Sequence, residues 1–167
     1  MGRNRHASTV SDVAAKGDRA LEPSEAAFAA LLDRAGIAYE YEPHRLSCGP
    51  LAVDGKVARR ALQPDFWLPG LNLYVELTTS RMGGPNMRLK LAKVAKLKDG
   101  QGDKRIAILN GARLERVNAS KQLGHADVVA VLESVYAHTC RRAGIRTLAE
   151  SQAAREVREA QRELAAV

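Results

Sequence analysis

Residues 60–79 contain two short apolar runs, RALQPDFWL and LNLYVELTT, separated by the turn dipeptide Pro69-Gly70. Two such runs around a turn predict an antiparallel β-hairpin. In the second run, a period of two separates one apolar face from a mixed face. The apolar face, expected to lie in a core, comprises Leu71, Leu73, Val75 and Leu77, and the mixed face comprises Asn72, Tyr74, Glu76 and Thr78.

Periodic patterns on both sides of the hairpin predict the other elements. EAAFAALLDRAG (25–36) predicts a helix, with Ser24 as its N-cap and Gly36 as its C-cap. IAYEYEP (37–43) alternates like a strand, and HRLSCGPLAVDGKVAR (44–59) predicts a loop that could include a short pairing segment. After the hairpin, NMRLKLAKVAKLKD (86–99) predicts a basic amphipathic helix, KRIAIL a buried strand, and ADVVAVLESVYAHTCRRAG a helix that packs against the sheet.

This order of helix, three strands, helix and strand over residues 23–109 predicts a mixed α/β fold, with helices covering one sheet. With 167 residues, the chain is expected to form one globular domain. We expect a flexible basic arm over residues 1–22, the domain over 23–145 and a charged C-terminal helix over 146–167.

Composition favours a polyanionic partner. The net charge is +7, and the isoelectric point lies near 9.7. Two cysteines are too few for a disulfide framework, and we find no secretory signal or membrane-spanning segment, so a cytoplasmic location is expected and a membrane partner is not.

The predicted hairpin brings two carboxylates, Asp65 and Glu76, toward each other. Like charges at paired strand ends are costly unless a cation lies between them, and Mg²⁺ prefers such oxygen ligands. The alternative is that Asp65 is a turn residue after Pro64 and that Glu76 is solvated.

The PD at 64–65, the VEL at 75–77 and the preceding helix with Glu25 together resemble the PD-(D/E)XK nuclease superfamily, whose core is an αβββαβ unit. The nearer likeness is to small phage endonuclease I and Holliday-junction-resolvase types, and to an actinobacterial subgroup that also reads YVELTT. The resemblance covers residues 23–109. It implies a restriction-endonuclease-like core and a DNA endonuclease dependent on Mg²⁺ or Mn²⁺, whose substrates could include branched or structured DNA.

Carried over to this sequence, the resemblance implies that Asp65 and Glu76 are metal ligands and that Leu77 offers its backbone carbonyl. Glu25 would reach the metal or its water from the facing helix, with Glu22 as a fallback. Glu25 could equally be a capping acid in a first helical turn.

Thr78 departs from the family pattern, because the motif has a lysine at this position that orients the attacking water. Threonine carries no charge to stabilise a phosphorane. Lys90 and Lys93 of the following helix match basic positions of the resembling subgroup and could replace the lysine, as could Arg81. Thr78 could itself hold a metal-bound water.

Basic residues concentrate beside this predicted site. Eight Lys or Arg and two Asp lie between Arg81 and Arg105, a net charge of +6. This placement suits a track for phosphates. The predicted nucleic-acid-binding residues are Arg81, Arg88, Lys90, Lys93, Lys96 and Lys98.

Two other functions remain open from the sequence. Loss of the motif lysine could mark a catalytically inactive nucleic-acid-binding protein on the same fold. The C-terminal helix could instead mediate assembly, including a homodimer. Trp67 is expected to be a packing residue, and His44, His125 and His138 show no ligand spacing.

Overall fold

A computed structural model describes residues 21–53, 55–57, 61–79, 84–101 and 104–145, together with residue 156. Several predictions lie outside the described residues. They concern the basic arm up to residue 20, Arg81, the Lys98 side chain and the C-terminal helix other than residue 156.

The described chain forms four α-helices and eight short strands. The helices are α1 (Pro23–Ala35), α2 (Pro85–Gln101), α3 (Gly111–Lys121) and α4 (His125–Arg142). The strands are β1 (Glu40–Tyr41), β2 (Leu46–Ser47), β3 (Ala52–Val53), β4 (Lys56–Val57), β5 (Ala61–Leu62), β6 (Phe66–Leu68), β7 (Leu73–Leu77) and β8 (Ile106–Leu109). None of the helices in the described ranges is long and apolar enough to cross a membrane.

The central sheet has the strand order β1-β6-β7-β8. β6 runs antiparallel to both β1 and β7, whereas β7 and β8 are parallel and are connected through α2. The predicted hairpin is confirmed, and its turn is a 3₁₀ segment that ends in a left-handed Asn72. The mixed α/β fold with helices flanking a mixed sheet is therefore confirmed.

Each face of the sheet carries its own hydrophobic cluster. One cluster joins apolar residues of α1, α3 and α4 to Phe66, Leu73 and Val75. The other joins the predicted apolar side of α2 to the opposite face of the sheet, through Met87, Leu91, Val94, Leu97, Tyr74, Ile106 and Ile108. Because both faces are covered, β7 is buried along its whole length.

The start of α1 differs from the prediction. Glu22, and not Ser24, is the N-cap, with Pro23 as the first helical residue. Glu25 reaches back to accept a hydrogen bond from the Glu22 N–H (2.8 Å), as in a capping box. Gly36 ends the helix in the left-handed conformation (φ 65°), as predicted. Leu21 packs against the core, so ordered contacts begin before the predicted domain boundary.

The run over residues 60–68 is not one strand, contrary to the prediction. β5 pairs with β2 in a separate two-stranded ladder, and only β6 joins the central sheet. Gln63, Pro64 and Asp65 interrupt the strand between them, since proline donates no backbone hydrogen bond. The predicted loop over 44–59 contains β2 and the β3–β4 ladder.

Candidate active site

Asp65 lies immediately before β6, beside Glu76 of β7. The antiparallel register pairs Phe66 with Val75. Asp65, one residue before Phe66, therefore lies opposite Glu76, one residue after Val75. The Leu77 N–H donates to Asp65 Oδ2 (2.6 Å), and the Glu42 N–H donates to the Asp65 carbonyl (2.8 Å). Backbone donors on two sides therefore hold Asp65 against the end of β7.

Glu76 is buried, with 7% of its surface exposed. This burial excludes the alternative that Glu76 is a solvated strand residue. Its Oε1 forms an ion pair with the Lys90 ammonium group at 2.5 Å. Its Oε2 is buried and has no hydrogen-bond partner among the described residues. A buried carboxylate oxygen without a partner is costly and points to a further ligand.

The surroundings of the two carboxyl groups raise the pKa of both. Burial, and next the nearby Glu76, raise the pKa of Asp65 to about 7. Burial also raises the pKa of Glu76, although the charge and hydrogen bond of Lys90 oppose that shift. Negative charge at this pair is thus disfavoured without an added cation, which is the condition under which carboxylates bind metal ions.

Lys90 and Lys93 have different positions, although both lie on α2. The Lys90 ammonium group donates to the Leu77 carbonyl (3.2 Å) in addition to pairing with Glu76. The Lys93 ammonium group instead donates to the Ala61 carbonyl (3.0 Å) and ties α2 to β5. Of the two predicted replacements for the motif lysine that lie on α2, Lys90 is therefore the one in contact with Glu76.

Glu25 has the capping role that the sequence left open. Besides the Glu22 N–H, its Oε2 accepts a hydrogen bond from the Tyr41 hydroxyl (2.9 Å). Burial and the hydrogen bond to Glu25 raise the pKa of Tyr41 well above its ordinary value, so the phenol stays protonated and donates. Glu25 also acts electrostatically on Asp65 and Glu76, raising both pKa values.

Sequence reasoning missed Tyr41 as a member of this group. Its position on the core-facing side of the predicted strand 37–43, with Ile37 and Tyr39, was the available signal, because a buried phenol needs a partner.

A glycine lets three elements converge behind the site. A Cβ on Gly111 would lie 3.3 Å from both a Leu77 methyl group and the Ser24 carbonyl. The starts of α1 and α3 therefore pack directly against the end of β7. There, Thr78 is buried, and its N–H donates to the Leu109 carbonyl (2.9 Å).

The oxygen ligands of this site fit a hard divalent cation. The described residues contain no group of three or more His, Cys, Asp or Glu side chains arranged to hold a metal ion. Mg²⁺ does not require such a group, since it commonly uses one or two carboxylates together with waters and substrate phosphates. That smaller set is present here as Asp65, Glu76 and the Leu77 carbonyl. Glu76 Oε2, which has no hydrogen-bond partner among the described residues, is an oxygen that could coordinate a cation.

Four of the six predicted phosphate-binding residues have side chains that the structure describes, and they divide into two groups. Arg88 and Lys96 are exposed on α2, whereas Lys90 and Lys93 are half-buried and turn toward the sheet. Among the described side chains of α2, two of these four basic residues therefore lie on the outer surface of the helix.

Comparisons of this chain with models of protein families, with curated proteins and with solved structures found no match.

Proposed function

We propose that this protein is a metal-dependent DNA endonuclease on a restriction-endonuclease-like αβββαβ core of the PD-(D/E)XK type. One observation carries the proposal: Asp65, Glu76 and the Leu77 carbonyl meet at the end of β7, with the Lys90 ammonium group in contact with two of them. The order α1, β1, β6, β7, α2, β8 and the strand order of the central sheet support the same core.

In this proposal, Asp65, Glu76 and the Leu77 carbonyl hold Mg²⁺ or Mn²⁺. When bound, the cation would polarise a phosphodiester and promote attack by water. Glu25 acts from the facing helix through its negative charge, while its bonds to Glu22 and Tyr41 hold its carboxylate in place.

Lys90 takes the role of the motif lysine, whose position in this chain is occupied by Thr78. Its ammonium group is already beside Glu76, so it can hold an attacking water and stabilise negative charge that develops on the phosphate. A long aliphatic stem allows a helix lysine to place its charge where a strand lysine would stand. Thr78, buried at the same end of β7, lines the site. The exposed Arg88 and Lys96 supply sequence-independent contacts to the DNA backbone.

The test is cleavage of supercoiled plasmid and of a labelled four-way junction in Mg²⁺, Mn²⁺ or EDTA. We expect cutting in either metal and none in EDTA. Glu76→Gln keeps the shape of the side chain but removes its charge, and it should lower cleavage about 1000-fold, since metal stabilisation of the transition state is worth several kcal/mol. DNA binding should persist or tighten, because a repulsive charge is removed.

Asp33→Asn is the matched control, since Asp33 is an exposed acid of α1. It should cut like the parent protein. Salt-sensitive DNA binding without cleavage in any divalent ion would replace this proposal with the inactive nucleic-acid-binding protein. Undiminished cutting by Glu76→Gln would show that the site is elsewhere.

A further inference from the structure

Three aromatic side chains form a partly exposed cluster on the α2 side of the sheet. Trp67 and Tyr74 are cross-strand partners whose rings lie 4.3 Å apart between centroids, tilted by 34°. His44 stands edge-on to both rings, and its Nδ1 lies 3.0 Å from the Tyr74 hydroxyl oxygen. Within the cluster, Tyr74 is buried, Trp67 is half-buried and His44 is exposed. The cluster therefore offers aromatic surface to solvent.

This cluster lies next to the carboxylate pair. Trp67 of β6 follows Asp65, which lies just before that strand, by two residues, and Tyr74 precedes Glu76 by two residues within β7. Residues two apart in a strand point to the same face and are separated by about 7 Å. The aromatic pair and the carboxylate pair are thus consecutive steps along one face of the hairpin.

The charges around the cluster suit a nucleotide. The Lys104 ammonium group lies 5.9 Å from the centroid of the Tyr74 ring. Glu40 is the cross-strand partner of Trp67, which provides an acceptor beside the aromatic surface. A cationic side chain can bind a backbone phosphate, and a carboxylate can accept a hydrogen bond from the amino group of a base.

We propose that Trp67 and His44, supported by the buried Tyr74 ring, form a subsite that stacks one unpaired nucleobase of a strand whose phosphate lies at the proposed metal site of Asp65 and Glu76. The inference rests on the proposed nuclease function and adds a substrate class to it. A base inside a continuous duplex has both faces covered by its neighbours and must leave that stack to reach a protein ring. The subsite therefore selects nucleic acid with an unpaired nucleotide beside the cleavage point.

The experiment uses Trp67 as its own probe, because it is the one tryptophan of the chain. The full-length protein in EDTA is titrated with a 12-nucleotide single strand and with the matching blunt duplex. Tryptophan fluorescence reports stacking, and anisotropy of an end-labelled strand reports binding. We expect the single strand to quench the fluorescence strongly and the duplex to bind with much weaker quenching.

Variants separate stacking from general attraction. Trp67→Leu should weaken single-strand binding about 10-fold, as expected for one lost base stack, whereas Trp67→Phe should retain most of the affinity. His44→Ala should have a smaller effect, of about 3-fold. The control Lys121→Gln changes an exposed charge on α3 and should match the parent. Circular dichroism checks that each variant is folded.

Two failures are distinguishable. Binding without quenching, together with unchanged affinity in Trp67→Leu, would overturn the stacking subsite even if metal-dependent cleavage is observed. An absence of both binding and cleavage would overturn the proposed nuclease function and this subsite with it.

Discussion

The two faces of β7 are both buried, yet they hold different kinds of residue. Leu73, Val75 and Leu77 enter an apolar cluster with α1, α3 and α4. On the opposite face, Tyr74 and Glu76 lie beneath α2, where a carboxylate is left with one unpartnered oxygen. The first face stabilises the fold by removing apolar surface from water. The second face is costly to stability, because it buries charged groups. One five-residue strand thus carries apolar packing on one face and a buried carboxylate on the other.

The largest expected stability effect comes from the apolar face. Leu73 is fully buried, so Leu73→Ala should lower the free energy of unfolding by about 3 kcal/mol through lost burial and the cavity left behind. Urea denaturation measures this change. Cleavage per folded molecule should stay near the parent value. A loss below about 1 kcal/mol would show that this face contributes less than its burial suggests.

Substitutions on the charged face of β7 and its partner α2 should change the rate of cleavage. Under the proposed function, Lys90→Gln is expected to lower kcat for cleavage about 100-fold with little change in KM, because it removes the charge that is proposed to act on the reacting phosphate. Steady-state cleavage in Mg²⁺ measures both constants.

Lys93→Gln is the matched comparison, one helical turn along the same helix. Its parent side chain donates to the Ala61 carbonyl, so the substitution should change kcat less than 5-fold. A larger loss from Lys93→Gln than from Lys90→Gln would reverse the assignment of the replacement lysine.

A smaller effect concerns pH. The pKa of Asp65 is raised to about 7 in the folded protein, against about 3.9 in an unfolded chain. The folded state therefore binds the extra proton between these values, so this group makes stability fall as pH rises from about 4 to 7, with no further change above 7. Asp65→Asn removes this dependence while keeping an oxygen to accept the Leu77 N–H.

In EDTA, Asp65→Asn should be about 2 kcal/mol more stable than the parent at pH 8, and the difference should vanish near pH 4. Urea denaturation across this pH range tests it. A variant less stable than the parent at pH 8 would mean that the Asp65 carboxylate stabilises the fold, and the contrast between the two faces of β7 would be lost.

Local patterns predicted much of this architecture. The hairpin, the apolar side of α2 and the buried strand β8 follow from the periods of their residues, which depend only on backbone geometry. The break at Pro64 and the N-cap at Glu22 were missed although both have local signals, since proline donates no backbone hydrogen bond within a strand and Pro23 favours the first helical position. Asp65 and Glu76 could be paired from the sequence because one short turn fixes their register.

The sequence by itself determined which side chains share a face of each helix and strand, since side-chain period is a property of the local backbone. Only the tertiary structure decided which lysine of α2 contacts Glu76, because Lys90 and Lys93 lie one turn apart and both fit the helical pattern. It also decided that His44 joins Trp67 and Tyr74, since contacts between residues 23 and 30 positions apart arise from packing and not from local periodicity.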